Sequence, residues 1–572
     1  MRRWRQLDLH RAAVPAWSAL LAAAICLPFL GRGYVLSYDM VWVPRLDLDR
    51  PEIWGLGTGL PRAVPSDAVV ALLGAAVPAA VVQRLVLFAG LFLLAVGTAR
   101  LLRERPLVAQ LAAATLAVWN PFIAERLVLG QWPLLLACAA FPWLIDALGG
   151  KHDPRWSVAS LALAATALTP ATGVMGLVLA LVAAWRRGVV GVVVLAALVN
   201  APWVVAGLLH SSISRSDPAA VRLFELQPEG HFGRLGSALT LGGIWNTEVV
   251  PTSRTLVLTV VIAVAIGAVI AVGVVTMWRD DGRLLAVLAV AGGVGLAVAL
   301  LGWLDPDLVA RVVRDVPGGG LVRDGTRWLA LLVPLEAVAF GAGVHTILYR
   351  AEFTAWEVPV VVLALALPLA ALPDLAWGVG GRLEPATYPA AWADARRVVE
   401  KSSVRGDVLV LPFSAYRKPS WNHDTSVLDP AGRFFDRTTV TNDDLVVSGR
   451  TIDGEDPRAE RVQAVLEGRA VRRNLARQGI GIVVVDTEAP GATDALRSIR
   501  GARELDVQGD GLRLFALPGA RPRPIDDGDR QIMIATWIVT ALTLAFATNG
   551  AIRGAVERRR RKPVPSGSRT RP

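Results

Sequence analysis

The sequence predicts a polytopic α-helical membrane protein of about twelve transmembrane helices, with an α/β domain inserted before the last of them. Three observations predict it. Mean hydropathy is +0.47 and 53% of the 572 residues are hydrophobic, more than a soluble domain needs to fill its core. The apolar residues come in long runs and not in the spaced stripes of a surface helix. Between residues 376 and 530 those runs give way to short apolar segments bounded by Gly, Pro and Asp, interleaved with amphipathic ones.

A helix crossing the hydrocarbon layer takes about 20 apolar residues. Spans on that basis fall near 13–30, 84–102, 107–122, 132–148, 156–169, 171–185, 188–208, 255–277, 284–302, 328–347, 357–375 and 532–549. The first lacks a small-residue cleavage site and reads as a retained helix. Residues 67–83, interrupted by Pro78, read as a helix lying in the outer interface. The segments at 107–122 and 156–169 are short, and the pair joined at "LTPATG" reads as two spans or one re-entrant hairpin.

Charge sets the sidedness independently. With the N-terminus inside, the basic loops at 103–106, 151–155, 185–187, 279–283 and 349–352 and the tail "RRRRK" at 558–562 all fall on the cytoplasmic side. The long loops 31–83, 209–254, 303–327 and 376–530 fall outside. The predicted organisation is a membrane core of eleven spans over 1–375, an extracytoplasmic α/β domain over 376–530, a last helix at 531–552 and a basic cytoplasmic tail at 553–572, all in a plasma membrane. In the outer domain, 406–412, 479–486 and 512–517 read as buried strands. Residues 392–402 and 456–478 read as amphipathic helices, the second capped by Asp456 with Pro457 at its first position.

The net charge of +11 does not point to nucleic acid, because the arginines sit in short clusters between apolar runs. Their partner is the bilayer and its anionic lipid. Cys26 and Cys138 both lie inside apolar runs and read as core residues. There is no P-loop, GxSxG, HExxH, paired CxxC or dinucleotide fingerprint, and none of the six histidines stands in ligand spacing. The sequence names no certain cofactor, and a divalent cation stays open.

What remains is charge beside the outer ends of spans. Asp39, in "SYDMVWVP", follows the first span, and Asp47 and Asp49 follow in "RLDLD", a spacing that in an extended segment puts both carboxylates on one side. A partly desolvated carboxylate at the interface can act as general base toward a sugar hydroxyl. The alternative is a solvated loop whose aspartates cap turns and pair with Arg45 and Arg50. Glu125, Arg126 and Gln131 sit between two spans in "WNPFIAERLVLGQWPLL", where charge faces a cavity or forms a structural ion pair. Arg323 and Arg327, behind the Gly-rich turn of "VPGGGLVRDGTRW", suit a lipid-linked phosphate, or else snorkel from a flexible connector. Arg126 is assigned with them to donor-phosphate binding on electrostatic grounds. His231, in a Gly-rich outer loop with Arg234 and Trp245, rests on the leaflet or lines an acceptor groove. Trp421 and His423 either contact a glycan or are a core Trp and a surface His.

Taken together, Asp39 in the first outer loop, the apolar interfacial helix after it, the "NPFIAERLVLGQWPLLLACAAFPWL" block and the "LVRDGTRW" opening of a late span resemble the GT-C superfamily of membrane glycosyltransferases. The pattern is similar to actinobacterial members that build cell-envelope arabinan or mannan, and it covers residues 1–375. The resemblance implies a polyprenyl-phosphate sugar as donor, an envelope glycan or glycolipid as acceptor, and a first-loop carboxylate as base. Carried over, Asp39 is that base and Asp47 or Asp49 an auxiliary carboxylate. Many relatives carry a compact acidic pair in this loop, whereas here Asp39 stands eight residues before Asp47. Two other classes compete: a non-enzymatic envelope scaffold, and a transporter of a lipid-linked precursor. The latter lacks duplicated halves and mid-span charge.

Overall fold

The structure is a computed structural model that describes residues 2–150, 153–210, 217–218, 220–350, 357–447 and 450–560. The end of the basic tail from residue 561, together with Lys151, His152 and residues 351–352 of two predicted basic loops, lies outside the described residues.

Apolar helices occupy every stretch predicted to span. Seven, among the described residues, are long and apolar enough to cross a membrane: Ala12–Leu30, Ala79–Leu101, Leu107–Val128, Val189–His210, Val257–Asp280, Gly282–Leu304 and Asp527–Glu557. Two more qualify if each bent pair counts as one span: Gly325–Leu331 with Val333–Tyr349, bent by 40°, and Val361–Ala371 with Pro373–Gly380, bent by 71°. The other three predicted spans are shorter, Trp132–Leu148, Trp156–Thr166 and Pro170–Ala184. Length alone therefore supports seven to nine crossings.

Two boundaries differ from the sequence reading for local reasons. Residues 67–83 are not one interfacial helix. Pro78 ends the helix Ser66–Ala76, and the next helix begins at Ala79 and runs on as a span. Within Leu107–Val128 the helix breaks at Trp119, and Asn120 caps the second piece by accepting from the Ile123 N–H at 3.1 Å. That break turns Pro121–Val128 into a short helix leading to the turn at 129–131.

The three predicted strands are present as Asp407–Leu411, Ile480–Asp486 and Leu512–Ala516. They join Thr439–Val440 and Arg503–Leu505 in a five-stranded sheet. Ile480–Asp486 lies at its centre, parallel to Asp407–Leu411 on one side and antiparallel to Leu512–Ala516 on the other, and Thr439–Val440 runs parallel to Asp407–Leu411 at the edge. Both faces are covered, which explains the unbroken apolar run of "GIGIVVVD". Val408, Val410, Ile482 and Val484 face the main core, while Leu409, Leu411, Val483 and Val485 pack under the helices Pro457–Glu467, Val471–Arg477 and Ala492–Ser498. The predicted helix 456–478 is two helices, because Gly468 closes the first and Ala470 takes a left-handed conformation. Asp456 caps the first as expected, accepting from the Arg458 N–H at 2.9 Å.

The loop after the first helix is held by segments of residues 385–435 that flank the first strand of this sheet. Tyr34–Val35 pairs antiparallel with Pro385–Ala386. Further along, Tyr388 donates to the Trp42 carbonyl at 2.9 Å and Arg50 to the Phe435 carbonyl at 3.2 Å. Asp67 takes the Arg433 guanidinium at 2.9 Å. Segments far apart in the chain thus form one wall, and the candidate site lies against it.

Candidate functional site

Asp39 is placed by backbone constraints on both sides. Its N–H donates to the Leu129 carbonyl at 3.1 Å, against the turn that follows Pro121–Val128. Gly130 in that turn has φ +77°, and a Cβ there would collide with the Met40 backbone, so only glycine admits this approach. Its neighbour Tyr38 takes φ +44°, unusual for a bulky residue. Main-chain bonds from the Tyr38 N–H to Ser426 at 2.6 Å and from the Leu428 N–H to the Tyr38 carbonyl at 2.9 Å hold it there. The result aims the half-buried Asp39 carboxylate into a cavity of about 1950 Å³.

Two donors hold that carboxylate. The Tyr416 hydroxyl donates to Oδ1 at 2.7 Å and Gln131 Nε2 approaches Oδ2 at 3.4 Å. Burial pushes the Tyr416 phenol well above its ordinary value, and the adjacent Asp39 charge adds to this, so Tyr416 stays protonated and donating. Gln131 in turn accepts from Arg126 Nη1 at 3.0 Å. Arg126 also donates to Thr326 Oγ1 at 2.7 Å and reaches Asp324 at 3.5 Å, and Asp324 pairs with Arg327 at 2.9 Å. Three segments that were distant in the sequence therefore meet in one network running from Asp39 to Arg327.

Arg323 and Arg327 line the same cavity. Arg323 shares the buried Glu455 with Arg62, at 3.1 Å and 2.5 Å, and Asp324 is shared between Arg126 and Arg327. Each of these two carboxylates thus serves two guanidiniums, and Arg323 and Arg327 offer N–H donors to an anionic group on the wall between them. Trp132, Trp245, Trp203 and Val204 supply apolar surface around it.

Other predicted residues stand elsewhere. Asp47 and Asp49 do not reach the cavity; the segment is a turn in which Asp47 accepts from the Asp49 N–H at 2.9 Å and lies 3.9 Å from Arg45. Arg50 points to Glu52, not to either aspartate. Arg126 is buried behind the cavity and not on its lining. Glu125 does not pair with it, since successive helical residues diverge, and faces the buried Glu229–Arg254 pair instead. His231 is exposed and off the cavity, although Trp245 of the same loop lines it. Trp421 packs on Tyr388 and Trp392 at centroid distances of 4.9 Å and 5.9 Å, and His423 is at the surface, so neither lines the cavity. Cys26 and Cys138 are buried and unpaired. Among the described residues no three His, Cys, Asp or Glu side chains gather as a cation site. Tyr416, Arg62, Arg433 and Glu455 are the site residues that the sequence did not announce.

With this geometry in view, the fold has a known counterpart. It is similar to the arabinofuranosyltransferase AftD from mycobacteria. The superposition has a TM-score of 0.57 at 17% identity and covers 92% of this chain but 40% of that one. A second structure, of a point mutant of the same enzyme, gives 0.53 at 17% identity, with 91% and 42% covered. The chain therefore spans less than half the length of the enzyme it resembles. No family model and no curated protein matches the sequence.

Proposed function

We propose that the chain is a membrane glycosyltransferase that moves a sugar from a polyprenyl-phosphate donor to an envelope glycan or glycolipid at the outer face of the plasma membrane. The observation that carries this reading is the Asp39 carboxylate, held by Tyr416 and Gln131 on the wall of a large cavity that also carries Arg323 and Arg327. The likeness to AftD supports a transferase fold. In the reaction, Asp39 takes the proton from an acceptor hydroxyl while its oxygen attacks the anomeric carbon. The bond from that carbon to the phosphate oxygen breaks, the electron pair leaves with the polyprenyl phosphate, and Arg323 and Arg327 stabilise the charge. One displacement inverts the anomeric centre. Asp47 and Asp49 have no part in this step, and Arg126 acts through Gln131 and Asp324 as a positioning residue. In this reading both termini are cytoplasmic, and residues 376–530 form an outer domain that closes the cavity over the membrane core.

The test uses membranes carrying equal amounts of wild-type protein and Asp39→Asn, a panel of labelled polyprenyl-phosphate sugars, and label recovered in glycolipid and polymer. Transfer from one donor, lost about a thousandfold in the variant, is expected of a missing general base. Equal transfer by both proteins, or none by either where a control transferase works, would favour the scaffold reading.

A further inference from the structure

Beside the Asp39 cavity lies a second chamber of about 440 Å³, within the roughly 300–1,000 Å³ typical of small-molecule sites. The two share a wall whose polar members are Arg62, Asp67 and Arg433, set among apolar residues such as Leu60 and Leu428. One side of the chamber is the "GLGTGLP" stretch of the first loop, residues 55–61, a motif that the transfer chemistry leaves unused. The opposite side is residues 438–441 with Asp456 and Arg458. Glycines keep these walls close. A Cβ on Gly59 would stand 3.2 Å from the Asp456 side chain, and one on Gly432 would stand 3.0 Å from Thr441.

The main cavity is lined in part by aromatic rings, among them Trp132, Trp203 and Trp245, and this chamber is not. Arginines and acidic residues are present in equal number, so the chamber has no net charge to offer an anion. Arg458 meets Asp407 at 2.6 Å, and the buried Arg50 reaches Glu52 at 3.4 Å. Glu52 keeps a buried Oε1 with no hydrogen-bond partner among the described residues. Thr58, whose hydroxyl donates to Asp456 at 2.7 Å, Thr439, whose hydroxyl donates to the Arg437 carbonyl at 3.1 Å, and Thr441 add hydroxyl oxygens, and among the described residues no aromatic ring lines the chamber. Such a wall offers both donors and acceptors between apolar residues such as Ile53, Leu56 and Val440, and nothing to stack on. It suits a neutral ligand gripped by many hydroxyls.

We propose that this chamber binds the neutral, hydroxyl-rich end of the acceptor glycan and presents its terminal hydroxyl to Asp39 past the wall formed by Arg62, Asp67 and Arg433. The proposal rests on the transferase reading and adds the class of acceptor and the residues that select it.

The experiment is calorimetric binding to the purified full-length protein in detergent. The probes are neutral arabino-, manno- and gluco-trisaccharides, with trigalacturonate as the anionic comparison. Wild type is expected to bind at least one neutral trisaccharide. Thr441→Trp, which fills the chamber, should weaken that binding about tenfold, and Glu52→Gln, which alters one acceptor, about fivefold. Thermal unfolding checks that both variants fold, and if Thr441→Trp does not, Glu52→Gln decides. The proposal is overturned if no neutral trisaccharide binds, if trigalacturonate binds more tightly, or if the folded variants bind like wild type. Silence of Asp39→Asn in the transfer assay sinks the transferase reading whatever the calorimeter shows. Binding insensitive to the chamber variants sinks the present proposal whatever the transfer assay shows.

Discussion

Arg126→Met is the most informative perturbation of the network behind the site. The wild-type guanidinium is 1% exposed and its ionic partner Asp324 5%, so neither is relieved by water if the other is removed. Methionine keeps the bulk beside Phe122, over whose ring the guanidinium lies at 5.5 Å, but deletes the bonds to Gln131 at 3.0 Å and Thr326 at 2.7 Å. Breaking one side of a buried pair costs about 3–5 kcal/mol, and we expect about 4 kcal/mol here, since Arg327 still offsets part of the Asp324 charge. Asp324→Asn, which orphans the arginine, should cost about 3 kcal/mol by the same reasoning. The double variant has no orphaned charge and should fall short of the sum by about 2 kcal/mol. Denaturant titration in mixed micelles measures all three. A loss below about 1 kcal/mol in Arg126→Met, or strict additivity, would refute the assignment of Arg126 as a buried hub.

Further outcomes follow from the same geometry. Tyr416→Phe removes the 2.7 Å bond to Asp39 and should lower transfer about tenfold while leaving the unfolding midpoint nearly unchanged, as measured by initial rates and thermal unfolding. Asp47→Asn with Asp49→Asn should transfer like wild type within about twofold, because neither side chain lines the cavity. Trp421→Ala should cost about 3 kcal/mol of stability by opening the ring cluster with Tyr388 and Trp392, without weakening trisaccharide binding. Burial pushes the Asp407 carboxyl above its ordinary value of 3.8, Arg458 opposing and Glu52 reinforcing. A raised acid is stabilising while protonated, so its contribution is whole below 3.8 and is lost as pH rises through the folded-state value. Unfolding midpoints of wild type should show that decline, and Asp407→Asn should flatten it.

Hydropathy is a local property, and the stretches predicted to span are accordingly helical. What it did not reveal were breaks made by single residues: Pro78 dividing 67–83, Asn120 restarting a helix, and the left-handed Ala470 inside an amphipathic pattern that continues across it. Asp39, Arg323 and Arg327 were legible because charge beside a span end is costly and needs a reason, and Gln131 because it stands in the same short turn as Glu125 and Arg126. Tyr416, Arg62 and Arg433 carry no such mark. Each is an ordinary polar residue in its own segment and reaches the cavity only through the tertiary path of the first loop. At Asp47 and Asp49 the sequence left two readings, and the structure has the turn closed by a local bond and not the extended segment that would align both carboxylates.

The stitching of the first loop to the sheet has a consequence for biosynthesis. Asp39 and Tyr416 are 377 residues apart, and Tyr34–Val35 waits about 350 residues for Pro385–Ala386. At about 5–20 residues per second the ribosome leaves these late contacts of the early loop unmade for roughly 20 to 75 s. Through that interval its strand edge and its tryptophans are open to wrong partners, so a nascent chain halted before residue 385 should be a substrate for membrane quality control, and one released after Leu428 should escape it.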